Sequence, residues 1–95
     1  MDRVNIRIGH LEFDHADYDV DGDILYLHIG PPQASESEET PEGHAIHYAP
    51  STHIVVGLTV VNAKWLIARD GHLTVTIPEV IEASADDLAA GLAAA

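Results

Sequence analysis

Two short runs constrain this chain more than any other feature. Residues 54–61 (IVVGLTVV) and 24–29 (ILYLHI) are largely apolar on both faces when read as strands. A strand with one wet face alternates apolar and polar residues. One that is apolar on both faces belongs at the centre of a sheet or against another molecule. The β-branched content of the first run strengthens the strand reading. Gly57 interrupts it, and a glycine inside a strand marks a bulge or the close approach of another backbone.

Weaker strands surround these two. Val4, Ile6 and Ile8 alternate with Arg3, Asn5 and Arg7. Gly9 and His10 interrupt that pattern, and Leu11 and Phe13 resume the same edge. Residues 14–23 read as a polar turn region, and residues 45–48 as a short strand. Leu73, Val75 and Ile77 alternate with Thr74 and Thr76 until Pro78 stops the strand. Gly30-Pro31-Pro32 ends the 24–29 strand. The following residues 33–43 (QASESEETPEG) contain nothing apolar larger than Ala, which predicts an acidic flexible loop. Residues 62–71 fit a short helix between an Asn62 N-cap and a Gly71 C′ residue. Their rival reading is a hairpin turning at Asp70-Gly71. Ser84 caps a C-terminal helix over 84–95, with Asp86 and Asp87 in its first turn and a fraying triple-Ala end. The expectation is α+β: one domain over 1–95, a single mainly antiparallel sheet of about five strands, one short helix and a C-terminal helix.

The segment 18–27 reads Y-D-V-D-G-D-I-L-Y-L. It resembles the signature of a small bacterial family known as domain of unknown function 2283, which opens Tyr-Asp, three residues, Asp, one residue, Leu-Tyr-Ile. Tyr18, Asp19, Gly22, Asp23, Leu25, Tyr26 and Leu27 fill those places. The family's second element, a turn followed by Val-Gly-Ile-Glu-Ile, matches Val56-Gly57-Leu58-Thr59-Val60. Thr59 departs from the family's Glu, and Ala49 from a common Asp. The likeness spans residues 17–61, about half of the chain. It implies an antiparallel sheet, no established activity or catalytic residue, and an association with toxin–antitoxin operons.

Asp17, Asp19, Asp21 and Asp23, with Gly22, spell D-Y-D-V-D-G-D-I. The first six residues match the opening of a calcium loop, where alternating carboxylates supply hard oxygens. The twelfth place is His28 instead of a bidentate Glu, and a strand follows where a helix is required. The segment is therefore not an EF-hand. It reads as an Asx-rich turn, with a calcium-binding module through these four aspartates as the alternative function.

His10, His15, His28, His44, His47, His53 and His72 form no helical His pair and no His-Glu-x-x-His motif. A cross-strand zinc site from His28 and His47 is one arrangement the strands allow, and Asp14-His15 is a candidate orienting pair. No Gly-x-Ser-x-Gly elbow is present. No catalytic residue is assigned.

Sixteen acidic residues against four basic ones give a formal charge of −12 with His neutral. That charge repels nucleic acid. The N-terminus lacks the apolar core of a signal peptide, and residues 54–61 are too short to cross a bilayer. The expectation is a soluble cytoplasmic protein without membrane or nucleic-acid partners. The doubly apolar strands predict a non-catalytic interaction module, self-associating as a homodimer through a two-fold axis, or meeting a protein partner such as a basic toxin. Protonation of all seven His would move the charge from −12 to −5, so self-association should depend on pH.

Overall fold

The computed structural model describes residues 2–31, 33–76 and 81–93. The strands are β1 (Asp2–Ile8), β2 (Leu11–Asp19), β3 (Ile24–His28), β4 (Glu36–Glu39), β5 (Ala45–Tyr48), β6 (Val55–Val61), β7 (His72–Val75) and β8 (Ile81–Ser84). The helices are α1 (Ala63–Asp70) and α2 (Ala85–Leu92). Six strands form an antiparallel sheet in the order β1-β2-β3-β6-β5-β4, and β7 and β8 pair in a separate hairpin. The α+β class is thus observed, with six strands in place of about five and a second small sheet in place of a single one. The expected strand end at Ile77-Pro78, Pro32, and the Ala94-Ala95 end lie outside the described residues.

The two doubly apolar runs, β3 and β6, are the two central strands. Leu25, Leu27, Leu58 and Val60 enter the core from one face, with Ile6, Ile8, Phe13, Ala16, Tyr18 and Ile46 from neighbouring strands. Ala63 of α1, Leu73 and Val75 of β7, Ala83 of β8 and Leu88 of α2 close that core from above. Helix α2 comes close because Gly91 has no side chain: a Cβ there would lie 2.7 Å from Ile6 Cδ1 and 3.2 Å from Leu25 Cδ1. Ser84 accepts from the Asp87 amide while the Asp87 carboxylate accepts from the Ser84 amide, the expected N-terminal stop of that helix.

Three local expectations change. Gly9 and His10 do not interrupt one continuous edge; they turn a tight hairpin in which Ile8 faces Leu11, with Gly9 at φ 61° as a type II′ turn requires at its first position. Residues 14–19 are not turn but the second half of β2, so the turn shrinks to residues 20–23. The acidic segment 33–43 is not all loop, because Glu36–Glu39 pairs with β5 from Glu36↔Tyr48 to Glu39↔Ala45. Its four side chains are all exposed, so apolar patterning carries no trace of it. Charge on an outermost strand also discourages further strands from adding to it.

The 62–71 ambiguity resolves to a helix. Asn62 holds the N-cap position in the left-handed region (φ 57°, ψ 42°) but makes no side-chain cap. Gly71 at φ 79° ends the helix and donates its N–H to the Ile67 carbonyl. The cap comes from 39 residues earlier: the Asp23 carbonyl accepts from Ala63 N, and its carboxylate accepts from Lys64 N at 2.8 Å and Trp65 N at 3.1 Å.

Candidate functional site

The face of the sheet opposite the core carries the polar chemistry. Directly paired residues on neighbouring strands share a face, so the register reads off its rows. One row runs His15, His28, Gly57, His47, Ser37 across β2, β3, β6, β5 and β4. The next runs Asp17, Tyr26, Thr59, Ala45, Glu39. Among these, Asp17, Tyr26, Ser37 and Glu39 are exposed and the other side chains are half-buried.

Gly57 makes the centre of this face concave. The β5–β6 register slips between His47 and Tyr48, leaving Val56 as an extra residue beside it. A Cβ on Gly57 would sit 3.1 Å from the Leu27 carbonyl oxygen, 3.2 Å from His47 Cδ2 and 3.5 Å from His28 Cδ2. Both readings of an in-strand glycine, bulge and close approach, are therefore realised. The hollow has a volume of about 380 Å³ and is lined by Asp17, Tyr26, Leu27, His28, Gln33, Ser35, His47 and Thr59. Gln33 and Ser35 belong to the crossover between β3 and β4, which walls one side.

The register thus brings His28 and His47 to one cavity. His28 Nδ1 lies 2.9 Å from the Gly30 carbonyl. A carbonyl only accepts, so Nδ1 carries the proton and the neutral ring leaves Nε2 as an acceptor. His47 is held at both nitrogens, Nδ1 by Ser37 Oγ at 2.7 Å and Nε2 by Thr59 Oγ1 at 2.8 Å. Burial pushes the His47 imidazole below its ordinary range, and the neighbouring His28 adds to this. Ser37 beside His47 has the outline of a nucleophile and its base. The third group is the Thr59 hydroxyl, which cannot stabilise an imidazolium as a carboxylate does. This arrangement suits hydrogen bonding to an occupant more than acyl transfer.

At the edge of the same row, His15 Nδ1 lies 2.7 Å from Asp14 Oδ1, which also accepts from Gly30 N at 2.8 Å. The Gly30 amide and then His15 hold the Asp14 carboxyl below the usual range. The adjacent Asp-His pair is real, and it fastens the end of β3 to β2.

The four aspartates of the calcium-loop pattern go to different places. Asp17 is exposed and lines the central cavity. Asp19 closes β2, and its Oδ1 accepts from the Asp21 amide at 3.2 Å, an Asx turn. Asp21 is exposed in the turn. Asp23, at φ 53°, is committed to the α1 N-terminus. Among the described residues, no three His, Cys, Asp or Glu side chains are grouped so as to hold a metal ion. Extended backbone spaces Asp17 and Asp19 by ~7 Å along the strand, where a calcium loop would curl them inward.

Two further residues carry weight that composition and spacing did not assign. Tyr18 donates its hydroxyl to Asp23 Oδ1 at 2.6 Å, with Lys64 Nζ 4.8 Å from its ring centroid. Desolvation first, then Asp23 and Asp19, push the phenol up to about 12. His44 is buried at 1% exposure, its Nδ1 accepting from Val61 N at 3.1 Å. A lone His before a short strand gives no sequence signal of burial.

Among the described residues, no helix is long and apolar enough to cross a membrane. No protein-family model, curated protein or solved structure matched this chain.

Proposed function

We propose that this protein is a small non-catalytic interaction module that pairs with a second copy of itself through the open face of its six-stranded sheet. The observation that carries the reading is the one-sided packing. The helices and the β7–β8 hairpin contribute to a single core on the Leu25–Leu27 face. On the other face Tyr26, in the central strand β3, is left 40% exposed. An aromatic ring in the middle of an uncovered sheet is a ready anchor for an interface.

The pattern of that face is self-complementary. A two-fold axis lying in the interface, across the strands and between the two rows, places each row on the other row of the second copy. His15 then faces the second copy's Asp17, His28 faces Tyr26, Gly57 faces Thr59, and Ser37 faces Glu39. The glycine hollow receives a threonine, and a histidine meets a carboxylate. The test is isotope-filtered NMR on a mixture of labelled and unlabelled protein. Contacts between copies that involve the Tyr26 ring are expected. Contacts confined to the helical side, or none at concentrations where a dimer sediments, would contradict this face as the interface.

The likeness of residues 18–27 to domain of unknown function 2283 fits the same reading. Its Tyr and second Asp fall on Tyr18 and Asp23, which anchor α1, while its Tyr in Leu-Tyr-Ile falls on Tyr26 at the centre of the open face. An architectural clamp and a contact residue are what a binding domain needs to retain.

A further inference from the structure

The hollow at the centre of the open face holds an acceptor that its own chain leaves unsatisfied. His28 Nδ1 donates to the Gly30 carbonyl, so Nε2 offers only a lone pair. The ring's Cδ2, bonded to Nε2, lies 3.5 Å from where a Gly57 Cβ would stand, which sets that edge of the ring over the hollow. Among the described residues, His28 Nε2 has no hydrogen-bond partner, and the one unpaired side-chain polar atom sealed from solvent is His44 Nε2. His28 Nε2 is therefore within reach from the cavity. The nearby Ser37 and Thr59 hydroxyls are engaged by His47. Gln33 and Ser35 stand exposed on the crossover wall.

The same face presents a donor without an acceptor. Tyr26 stands two residues before His28 on β3, with 40% of its surface exposed. Among the described residues its hydroxyl makes no hydrogen bond. Side chains two apart on a strand stand side by side, about 7 Å from each other, so the phenol does not close onto the histidine of its own chain. A purely apolar cover would strand both groups, and a polar group buried unpaired costs more than its hydrogen bond gains. The cover must bring one donor for His28 and one acceptor for Tyr26. A second copy of this face carries one of each. The acids of the two rows, Asp17 and Glu39, lie on β2 and β4, away from the β3 contact.

We propose that the cavity is a socket for Tyr26 of a second copy, and that two reciprocal hydrogen bonds, from each Tyr26 hydroxyl to the other copy's His28 Nε2, fix the register of the dimer. This rests on pairing through the open face. The two-fold axis between the rows sets each Tyr26 against the other copy's His28, so a single axis forms both bonds. The experiment is sedimentation equilibrium of the full chain and of Tyr26→Phe, which keeps the ring and removes only the donor, with ¹⁵N-histidine correlation spectra of both. Tyr26→Phe should raise the dimer dissociation constant about 10–100-fold, because two interface hydrogen bonds are lost at once. In the wild type the His28 Nε2 resonance should move with the fraction of dimer while Nδ1 keeps its proton. That movement should be missing from Tyr26→Phe dimers formed at higher concentration. An unchanged dissociation constant in Tyr26→Phe, with contacts between copies still on the open face, would overturn the socket and leave the interface standing. A wild type that is monomeric at every concentration, or that pairs through its helical side, would overturn both.

Discussion

The Tyr18 hydroxyl donates to Asp23 Oδ1 at 2.6 Å, and the same carboxylate accepts from the first turn of α1 at Lys64 N and Trp65 N. One aspartate in a left-handed turn thereby ties β2, the β2–β3 turn and a helix that starts 40 residues later. Burial raises the Asp23 carboxyl, but the Tyr18 hydroxyl and the two helix amides outweigh it and hold the group below the ordinary range.

Removing that carboxylate is predicted to be costly. Asp23→Ala deletes a helix cap, about 1 kcal/mol, and strands the buried Tyr18 hydroxyl, about 1–3 kcal/mol. Urea denaturation should show a combined loss of roughly 2–4 kcal/mol. Tyr18→Phe should cost about 1 kcal/mol and let the Asp23 carboxyl titrate at a higher pH, followed by its carboxyl ¹³C shift. Because a depressed carboxylate stabilises the fold above its unfolded value, this contribution is present above about pH 4 and fades as pH falls through the folded value.

Much of this architecture is legible in the chain, and the illegible parts have physical causes. β3 and β6 are readable because burial on both faces leaves continuous apolar runs. The α2 start is readable because Ser84 and Asp87 lie within one turn. The α1 start is readable only in position: Asn62 is the right kind of residue in the right place, yet the capping carboxylate is supplied by the tertiary fold from Asp23. β4 is illegible because an outermost strand of four exposed polar residues buries nothing. The open face is half legible. His28 and His47 can be paired on paper, but their meeting over Gly57 depends on register, which no single strand specifies.

Gly57→Ala should destabilise the protein, although Ala normally suits a strand better than Gly. The added methyl would meet the Leu27 carbonyl at 3.1 Å and the His47 ring at 3.2 Å. The first belongs to a central strand and the second is held at both nitrogens, so neither gives way easily. A loss of about 1–3 kcal/mol is expected from thermal or urea melts.

Calcium should not stabilise the fold. Asp23 is engaged by α1 and Tyr18, while Asp17 and Asp19 stand on an extended strand. Differential scanning calorimetry should give the same Tm with and without millimolar calcium. A rise that vanishes in Asp21→Asn would revive the metal reading of the aspartate turn.

Stability should decline as pH drops below the ordinary histidine range. Burial lowers the His44 imidazole, against a smaller opposing pull from Glu42, and burial then His28 lower that of His47. For a depressed histidine the unfolded chain takes up the proton first. The contribution of each is therefore complete above about pH 6.5 and lost progressively below it. Urea midpoints measured between pH 8 and about 5.5 should fall, and His47→Gln should flatten the slope. Because these two rings resist protonation, the folded protein sheds less of its −12 charge on acidification than seven free histidines would allow.

Self-association through the open face is tested most directly by sedimentation equilibrium of the wild type and of Tyr26→Arg. The wild type should fit a monomer–dimer equilibrium that tightens from pH 8 to about pH 6, as each copy sheds part of its −12 charge. Tyr26→Arg should sediment as a monomer that keeps the wild type's circular dichroism spectrum, since the ring is 40% exposed in the single chain. A wild type that stays monomeric at every concentration and both pH values, or a Tyr26→Arg variant that dimerises as tightly as the wild type, would contradict the account.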